Sequence, residues 1–205
     1  MAERTKTRRY RKRKRAIHEE ETRQRITEAA VELHRTAGPA NTKVTEIAMR
    51  AGVSRMTVYN HFPTDAALFE ACSTSWFERN PLPDLDSWTA LSDAGERLRL
   101  GLREIYRWYR GAQEMMGNVL RDAAIVPALG EIMDARWWPY VDRMVDTLAQ
   151  EWSGNGAEED LRAALRLVVD FRTWKVLTGS GLSDAKAAEL AFRMVKYSAV
   201  HVPER

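Results

Sequence analysis

The sequence predicts an all-α fold of about nine helices, and three observations carry that reading. Apolar residues recur three and four apart over most of the 205 residues, the period of a helix with one buried face. No segment alternates apolar and polar residues over a useful length, and no internal repeat is present. The clusters Gly38-Pro39, Pro81-Leu82-Pro83, Gly154-Asn155-Gly156 and Gly179-Ser180-Gly181 punctuate the periodic stretches where helices must stop.

The first stretch carries Ile26, Ala29, Ala30 and Leu33 on one stripe and ends at Gly38-Pro39. Glu19, Glu20 and Glu21 are placed near its start, where negative charge suits the helix dipole. In the second stretch Val44, Ile47, Ala48 and Ala51 fall at i, i+3, i+4 and i+7. Gly52 stands where a helix needs a left-handed residue to end. Ser54 is a good N-cap for the third helix, with Thr57 at its N3 position. That helix turns only Val58 and the flanking Val53 and Phe62 inward. Arg55, Met56, Thr57, Tyr59, Asn60 and His61 are left to face outward or sideways. A helix so short and polar is a poor independent element, but it suits a platform that presents donors to phosphates and base edges. Three helices ending in a tight turn form a helix-turn-helix unit.

Beyond Phe62 the pattern stays helical. Thr64 caps a helix over 64–80, with Ala67, Leu68, Ala71 and Trp76 inward. Pro81-Leu82-Pro83 marks a break. Leu98, Leu102, Ile105 and Tyr109 stripe a long helix expected to end near Gly111, followed by a shorter one over 112–125. Pro127 opens the next, through Leu129, Met133, Trp137, Val141, Met144 and Leu148, with a kink or break at Pro139. Two helices close the chain, over 158–178 and 183–198. The domains are read as a basic disordered arm over 1–18, a helix-turn-helix domain over 19–66 and a helical domain over 67–205.

Charge is distributed unevenly. Residues 4 to 15 hold nine cations, Arg8, Arg9 and Arg11 among them, and no acid. Such a run buries no apolar surface and is expected to be disordered alone. Through residue 75 there are fifteen cations and nine acids; from residue 76 on there are seventeen and twenty. Positive charge at the reading end is the footprint of a nucleic-acid binder. The arm is expected to lie along the backbone or in a neighbouring minor groove of duplex DNA.

The single cysteine, Cys72, excludes an intramolecular disulfide and a Cys-rich zinc site. No apolar run is long enough to span a membrane, and no apolar segment follows the basic start as in a secretory signal; a cytoplasmic protein is expected. An enzyme is disfavoured. There is no Ser/His/Asp order with an elbow glycine motif, no phosphate-cradling loop and no HExxH, and His18, His34, His61 and His201 are scattered. No cofactor or metal is expected.

The run Ile26-x-x-Ala29-Ala30-x-x-Leu33, then Ile47-Ala48-x-x-Ala51-Gly52-Val53-Ser54, then Thr57-Val58-Tyr59-x-His61-Phe62 resembles the N-terminal domain of the TetR family of transcription regulators. The resemblance covers roughly residues 22 to 70, and the ordered string is more restrictive than a generic helix-turn-helix pattern. It departs twice. Met56 stands where family members often carry Gly, adding an apolar arm able to touch a thymine methyl. Phe62-Pro63-Thr64-Asp65 replaces a Phe-x-Ser-Lys pattern, and Asp65 repels phosphate where Lys would attract it.

The resemblance implies a sequence-specific DNA-binding regulator, a ligand-responsive repressor acting as a homodimer on a palindromic operator. The DNA contacts expected are Thr42, Lys43, Ser54, Arg55, Met56, Thr57, Tyr59, Asn60 and His61, with Arg8, Arg9 and Arg11 of the arm. Arg55 and Asn60 suit base reading, since Arg pairs with guanine and Asn with adenine through two bonds. Thr57, Tyr59 and His61 match family positions that mostly grip backbone. A pocket for a small apolar or aromatic effector is expected among Trp108, Met115, Met116, Val119, Asp122, Trp137, Phe171 and Trp174, with the 64–80 helix as the lever to the DNA. The dimer interface is expected on the last two helices, at Leu161, Leu165, Val168, Leu190, Met194 and Val195. The alternatives are a regulator without an effector and a non-specific nucleic-acid binder relying on the arm.

Overall fold

The computed structural model describes the backbone of residues 2–152 and 158–200, and their side chains except those of 2–9, 11 and 198–200. The described residues are helical, with no strand among them. In order they form α1 (Ala2–Thr36), a 3-10 turn (Pro39–Asn41), α2 (Val44–Ala51), α3 (Arg55–His61), α4 (Asp65–Arg79), α5 (Leu85–Thr89), α6 (Ala94–Asp122), α7 (Pro127–Ile132), a π-helical turn (Met133–Trp137), α8 (Trp138–Ala149), α9 (Glu158–Val169), α10 (Phe171–Gly179) and α11 (Asp184–Val200). No helix among the described residues is long and apolar enough to cross a membrane.

The chain divides into two compact units, residues 1–79 with 117–132, and residues 80–116 with 133–200 and onward. This differs from the boundary expected at 66/67. Helix α4 packs on α1 and α7, so the first unit keeps α4 and takes in the end of α6 and α7.

In the first unit the core is Ile26, Ala29, Ala30 and Val31 of α1, Ile47, Ala48 and Ala51 of α2, Val58, Phe62, and Leu68, Phe69 and Cys72 of α4. Cys72 is a core residue, its thiol pushed up to about 12 by burial. Helix α1 begins far earlier than expected. It runs unbroken through the basic segment, so Glu19, Glu20 and Glu21 sit in mid-helix and do not compensate its N-terminal dipole. The run expected to be a disordered arm is helical in backbone, since Arg, Lys and Glu are good helix formers and Arg15 pairs with Glu19 one turn on, at 3.0 Å.

In the second unit α6 supplies the central stripe of Leu98, Leu102, Ile105, Tyr106 and Tyr109, all buried. Gly111 does not end it. A mid-helix glycine costs about 1 kcal/mol, and the same face goes on burying Ala112, Met115 and Met116, so packing overrides the local preference. Pro139 instead marks a true interruption: the π turn precedes it and α8 restarts with the proline in its first turn, where a missing N–H costs nothing.

The helix expected over 158–178 is two helices. Asp170 adopts an extended backbone and its carboxylate accepts the Arg172 N–H at 2.6 Å, an N-cap that starts α10. The carbonyls left at the end of α9 accept from α6: Tyr106 Oη donates to Val168 O at 2.8 Å and Tyr109 Oη to Val169 O at 2.6 Å. Helix α5 was not foreseen. Asp84 caps it, and Trp88, fully buried, donates its indole N–H to Glu104 at 2.6 Å. The expected loop at Gly154-Asn155-Gly156 lies outside the described residues.

Candidate nucleic-acid interface

The turn between α2 and α3 is built from backbone requirements that the residues satisfy locally. Gly52 is left-handed, at φ 66° and ψ 39°, where an L side chain is strained. Val53 N–H returns to Ala48 O at 3.0 Å and closes the end of α2. Ser54 is extended, and its Oγ accepts the Thr57 N–H at 3.1 Å. The Thr57 hydroxyl lies 2.9 Å from the same oxygen. Ser54 and Thr57 therefore hold the start of α3 as well as facing outward.

Val58 and Phe62 bury one side of α3. The other side presents Arg55, Met56 and Asn60, all exposed, with Tyr59 42 % exposed. The expected base-reading pair Arg55 and Asn60 thus shares one solvent-facing helix with Met56 and Tyr59. His61 is half-buried, and its carbonyl accepts from Arg23 Nη1 at 2.9 Å. Thr42 is half-buried, its hydroxyl donating to Gly38 O at 2.8 Å. Lys43 is exposed at the head of α2, with its N–H on Glu46 Oε2 at 3.2 Å. Asp65 is exposed on the first turn of α4, whose cap is Thr64 accepting the Ala67 N–H at 3.1 Å. The side chains of Arg8, Arg9 and Arg11 lie outside the described residues.

Sequence reasoning missed two arginines that hold this head together. Arg25 Nη1 donates to Ala51 O, the last carbonyl of α2, at 3.1 Å. Arg23 reaches the last carbonyl of α3 and lies over the Phe62 ring, 4.2 Å from its centroid. Cations suit helix C-termini, but the partners are 26 and 38 residues away, beyond any local signal. Met49, 78 % exposed on α2, was missed as well.

The connection from α1 to α2 is fixed from beneath by the end of α6. Asp122, 1 % exposed, accepts the Ala40 N–H at 3.0 Å and the Arg121 guanidinium through both oxygens, at 2.7 and 3.0 Å. Asn118 donates its amide to His34 O and Arg35 O at 3.2 and 2.7 Å. His34, 5 % exposed, lies against the Phe69 ring at 5.2 Å. Burial holds its pKa down to about 4 despite the neighbouring Asp122 charge. Burial tends to raise the Asp122 carboxyl, but the hydrogen bonds from Arg121 and Ala40 with the Arg121 charge outweigh it and hold it below the usual range.

These contacts alter two groups of expected residues. Asp122 is neither a surface group nor free to meet an effector, because its oxygens are engaged by the head; half-buried Val119 belongs to the same unit. Trp108, Met115, Met116, Trp137, Phe171 and Trp174 fall in the other unit. Trp108 stacks on Trp137 at 5.7 Å, and Tyr109 meets Phe171 at 5.3 Å and Trp174 at 5.8 Å. Tyr109 is the hub of this cluster. Among the expected interface residues, Leu161, Leu165, Val168 and Val195 are buried within the one chain, so helical periodicity there reported this chain's own core. Leu190 is half-buried and Met194 is 40 % exposed. Among the described residues, the large apolar side chains standing out on α9 to α11 are Leu167, Val176, Met194 and Tyr197.

Residues 26–72 match the family model of the bacterial regulatory proteins of the tetR family. Over 87 residues the chain is 39 % identical to the HTH-type transcriptional regulator SrpR of Pseudomonas putida, a match that spans 38 % of this chain and only 40 % of that protein. Among solved structures it is similar to the transcriptional regulator FadR of Bacillus subtilis in complex with stearoyl-CoA, with TM-score 0.58, 17 % identity and coverage of 86 % of this chain and 97 % of that one. It is similar also to RolR in complex with resorcinol, with TM-score 0.52, 19 % identity and 91 % of each chain covered. At these identities the likeness to the solved structures is one of fold.

Proposed function

We propose that this chain, whose residues 26–72 match the tetR-family model, is a transcription regulator of the TetR family, a ligand-responsive repressor that binds a palindromic operator as a homodimer. The observation that carries this reading is the outer face of α3. It sets Arg55, Met56, Tyr59 and Asn60 side by side on a helix whose other side is locked into the head. Arg55 and Asn60 read base edges in the major groove. Lys43, Thr42, Ser54, Thr57, Tyr59 and His61 grip the backbone and fix the register, and Met56 packs on a thymine methyl. Two heads related by a two-fold axis reach half-sites roughly 34–36 Å apart. Leu167, Val176, Met194 and Tyr197 support dimer formation through α9 to α11.

The effector is a small, mostly apolar or aromatic compound held in the second unit around Trp108, Met115, Met116, Trp137, Phe171 and Trp174. The relatives solved with stearoyl-CoA and with resorcinol support that reading. Differential binding to two states changes operator affinity by typically 1–3 kcal/mol. A regulator without an effector is the second reading, favoured by the way Trp137, Phe171 and Trp174 already pack on Tyr109.

Footprinting on the promoter DNA beside the gene tests the proposal. A protected palindrome, released by one member of a panel of acyl-CoA thioesters and phenols, is the expected result. Equal protection of unrelated sequences overturns it, and a palindrome that no compound releases leaves the second reading standing.

A further inference from the structure

The face of α1 that packs into the head continues outward as a stripe of cations. Positions 4, 8, 11 and 15 are spaced four, three and four apart, the recurrence of one helical face. Arg4 lies eighteen residues before Thr22, about five whole turns, and Thr22 begins the buried stripe that runs on through Ile26, Ala29 and Ala30. Arg4, Arg8, Arg11 and Arg15 therefore occupy the register of α1 that packs into the head against α2 and α4. Of the other five cations, Lys6, Arg9 and Arg13 occupy the opposite register, and Lys12 and Lys14 lie on its two flanks.

Two further observations give this stripe a partner. The described side chains from Lys12 to Glu21 are all exposed, so nothing in the unit packs on that length of α1. Cations crowd the N-terminal end of the helix, where its dipole is already positive, an arrangement that costs helix stability until an anion offsets it. The helix also leaves the head beside the reading element, because Arg23 and Arg25 hold the last carbonyls of α3 and α2.

We propose that the basic half of α1 binds duplex DNA as a helix, through Arg4, Arg8, Arg11 and Arg15, on phosphates bordering the major groove next to each half-site. An α-helix about 10–12 Å across does not enter a minor groove about 6 Å wide but matches a major groove about 12 Å wide. Of the two placements expected from the charge run, this keeps the one along the backbone, as a helix, and drops the minor groove. From Ala2 to Arg15 the helix is about 21 Å long, or about six base pairs of flanking DNA at roughly 3.4 Å each. The inference rests on the operator reading for its place on the DNA.

Two charge-matched variants of the full chain test it: Arg4→Gln, Arg8→Gln, Arg11→Gln, Arg15→Gln on the stripe, and Lys6→Gln, Arg9→Gln, Arg13→Gln, Lys14→Gln off it. Affinity is measured against salt on an operator duplex and on an unrelated duplex of equal length. The expected result is that the stripe variant loses roughly 3–4 from the log–log salt slope per head, at least ten-fold more affinity than the off-stripe variant, and its flanking protection. Equal losses in the two variants mean a fluid cationic tail and overturn the helical proposal; no loss in either means that DNA is not its partner. If the wild type binds both duplexes alike while the stripe variant alone is weakened, the operator reading fails and the stripe stands. If the wild type binds neither, both fall.

Discussion

The Asp122 carboxylate accepts the backbone N–H of Ala40 at 3.0 Å across 82 residues of sequence. This contact joins the last turn of α6 to the loop that presents Thr42 and Lys43. Replacing Asp122 with Ala strands that N–H and the Arg121 guanidinium, both close enough to water to be partly rehydrated, so the expected cost is about 1–2 kcal/mol. Urea unfolding should show the lower midpoint with an unchanged slope. Asp122→Asn keeps an acceptor for Ala40 and should recover part of the loss. A variant as stable as the wild type would mean that the contact contributes nothing.

Stability should also depend on pH through His34. Unfolded, its imidazole takes up a proton near pH 6.5; folded, burial lowers that to about 4. Below 6.5 the unfolded chain therefore binds a proton that the folded chain refuses. The contribution is complete above 6.5 and is lost progressively as pH falls toward 4, by up to about 3 kcal/mol. Asp122, held below its usual range by Arg121 and Ala40, adds a loss only at still lower pH. Unfolding free energies at pH 7, 6 and 5 check this. His34→Gln should flatten the slope over that window whatever it does to the absolute stability.

Gly38 should tolerate no side chain. Its φ is 92°, and a Cβ there would overlap Arg121 Nη2 and lie 2.6 Å from Asp122 Oδ2. Gly38→Ala therefore adds backbone strain to a collision with the pair that fixes the loop, at about 2 kcal/mol or more. At Gly52 the φ is 66° but the nearest atom to a Cβ is Arg25 Nη1 at 3.8 Å, so only the left-handed cost of about 1–2 kcal/mol applies. Thermal melts of the two variants should rank in that order.

What the sequence made legible was local. The end of α2 at Gly52, the Ser54 cap, the inward Val58 and the outward Arg55 and Asn60 all depend on residues within one turn of each other, and period and cap chemistry reach that far. The interruption at Pro139 and the Thr64 cap were legible for the same reason. What escaped depends on distant partners. Asp170 ends α9 where Tyr106 and Tyr109 wait for its carbonyls, more than sixty residues back along the chain in one case and sixty in the other. Arg23 and Arg25 hold α3 and α2 from another helix. Asp122 looked like a pocket group because its true partner, Ala40, is an amide that no side-chain pattern reveals. Leu165 and Val195 show a further limit: a helical stripe announces burial but does not distinguish the chain's own core from a partner's surface.

The two tyrosines at the α9–α10 junction offer a direct measure of that tertiary influence. Burial raises both phenols well above their ordinary range, so each stays a donor at any working pH. Tyr106→Phe and Tyr109→Phe each leave a buried carbonyl without its donor, an expected loss of about 1–3 kcal/mol. Their rings lie 6.4 Å apart and their acceptors are adjacent residues, so the double variant should lose less than the sum of the singles. Strict additivity in calorimetry would mean that the two bonds act independently.

The outer face of α3 makes the sharpest distinction between reading and gripping. Arg55→Ala should weaken binding by about 1–3 kcal/mol on the operator and relax the preference at one base pair, because an exposed guanidinium can offer two donors to a base edge. Asn60→Ala should do the same at a different position. Tyr59→Phe removes one exposed hydroxyl, proposed above to grip a phosphate, and should weaken every sequence alike. Met56→Gly should abolish the preference for thymine over the other bases at one position, since the thioether arm that would touch its methyl is gone. Competition binding against a library of single-base operator variants reads all four at once. The assignment of roles fails if Tyr59→Phe shifts sequence preference while Arg55→Ala lowers affinity uniformly, since the two side chains would then have exchanged places on the DNA.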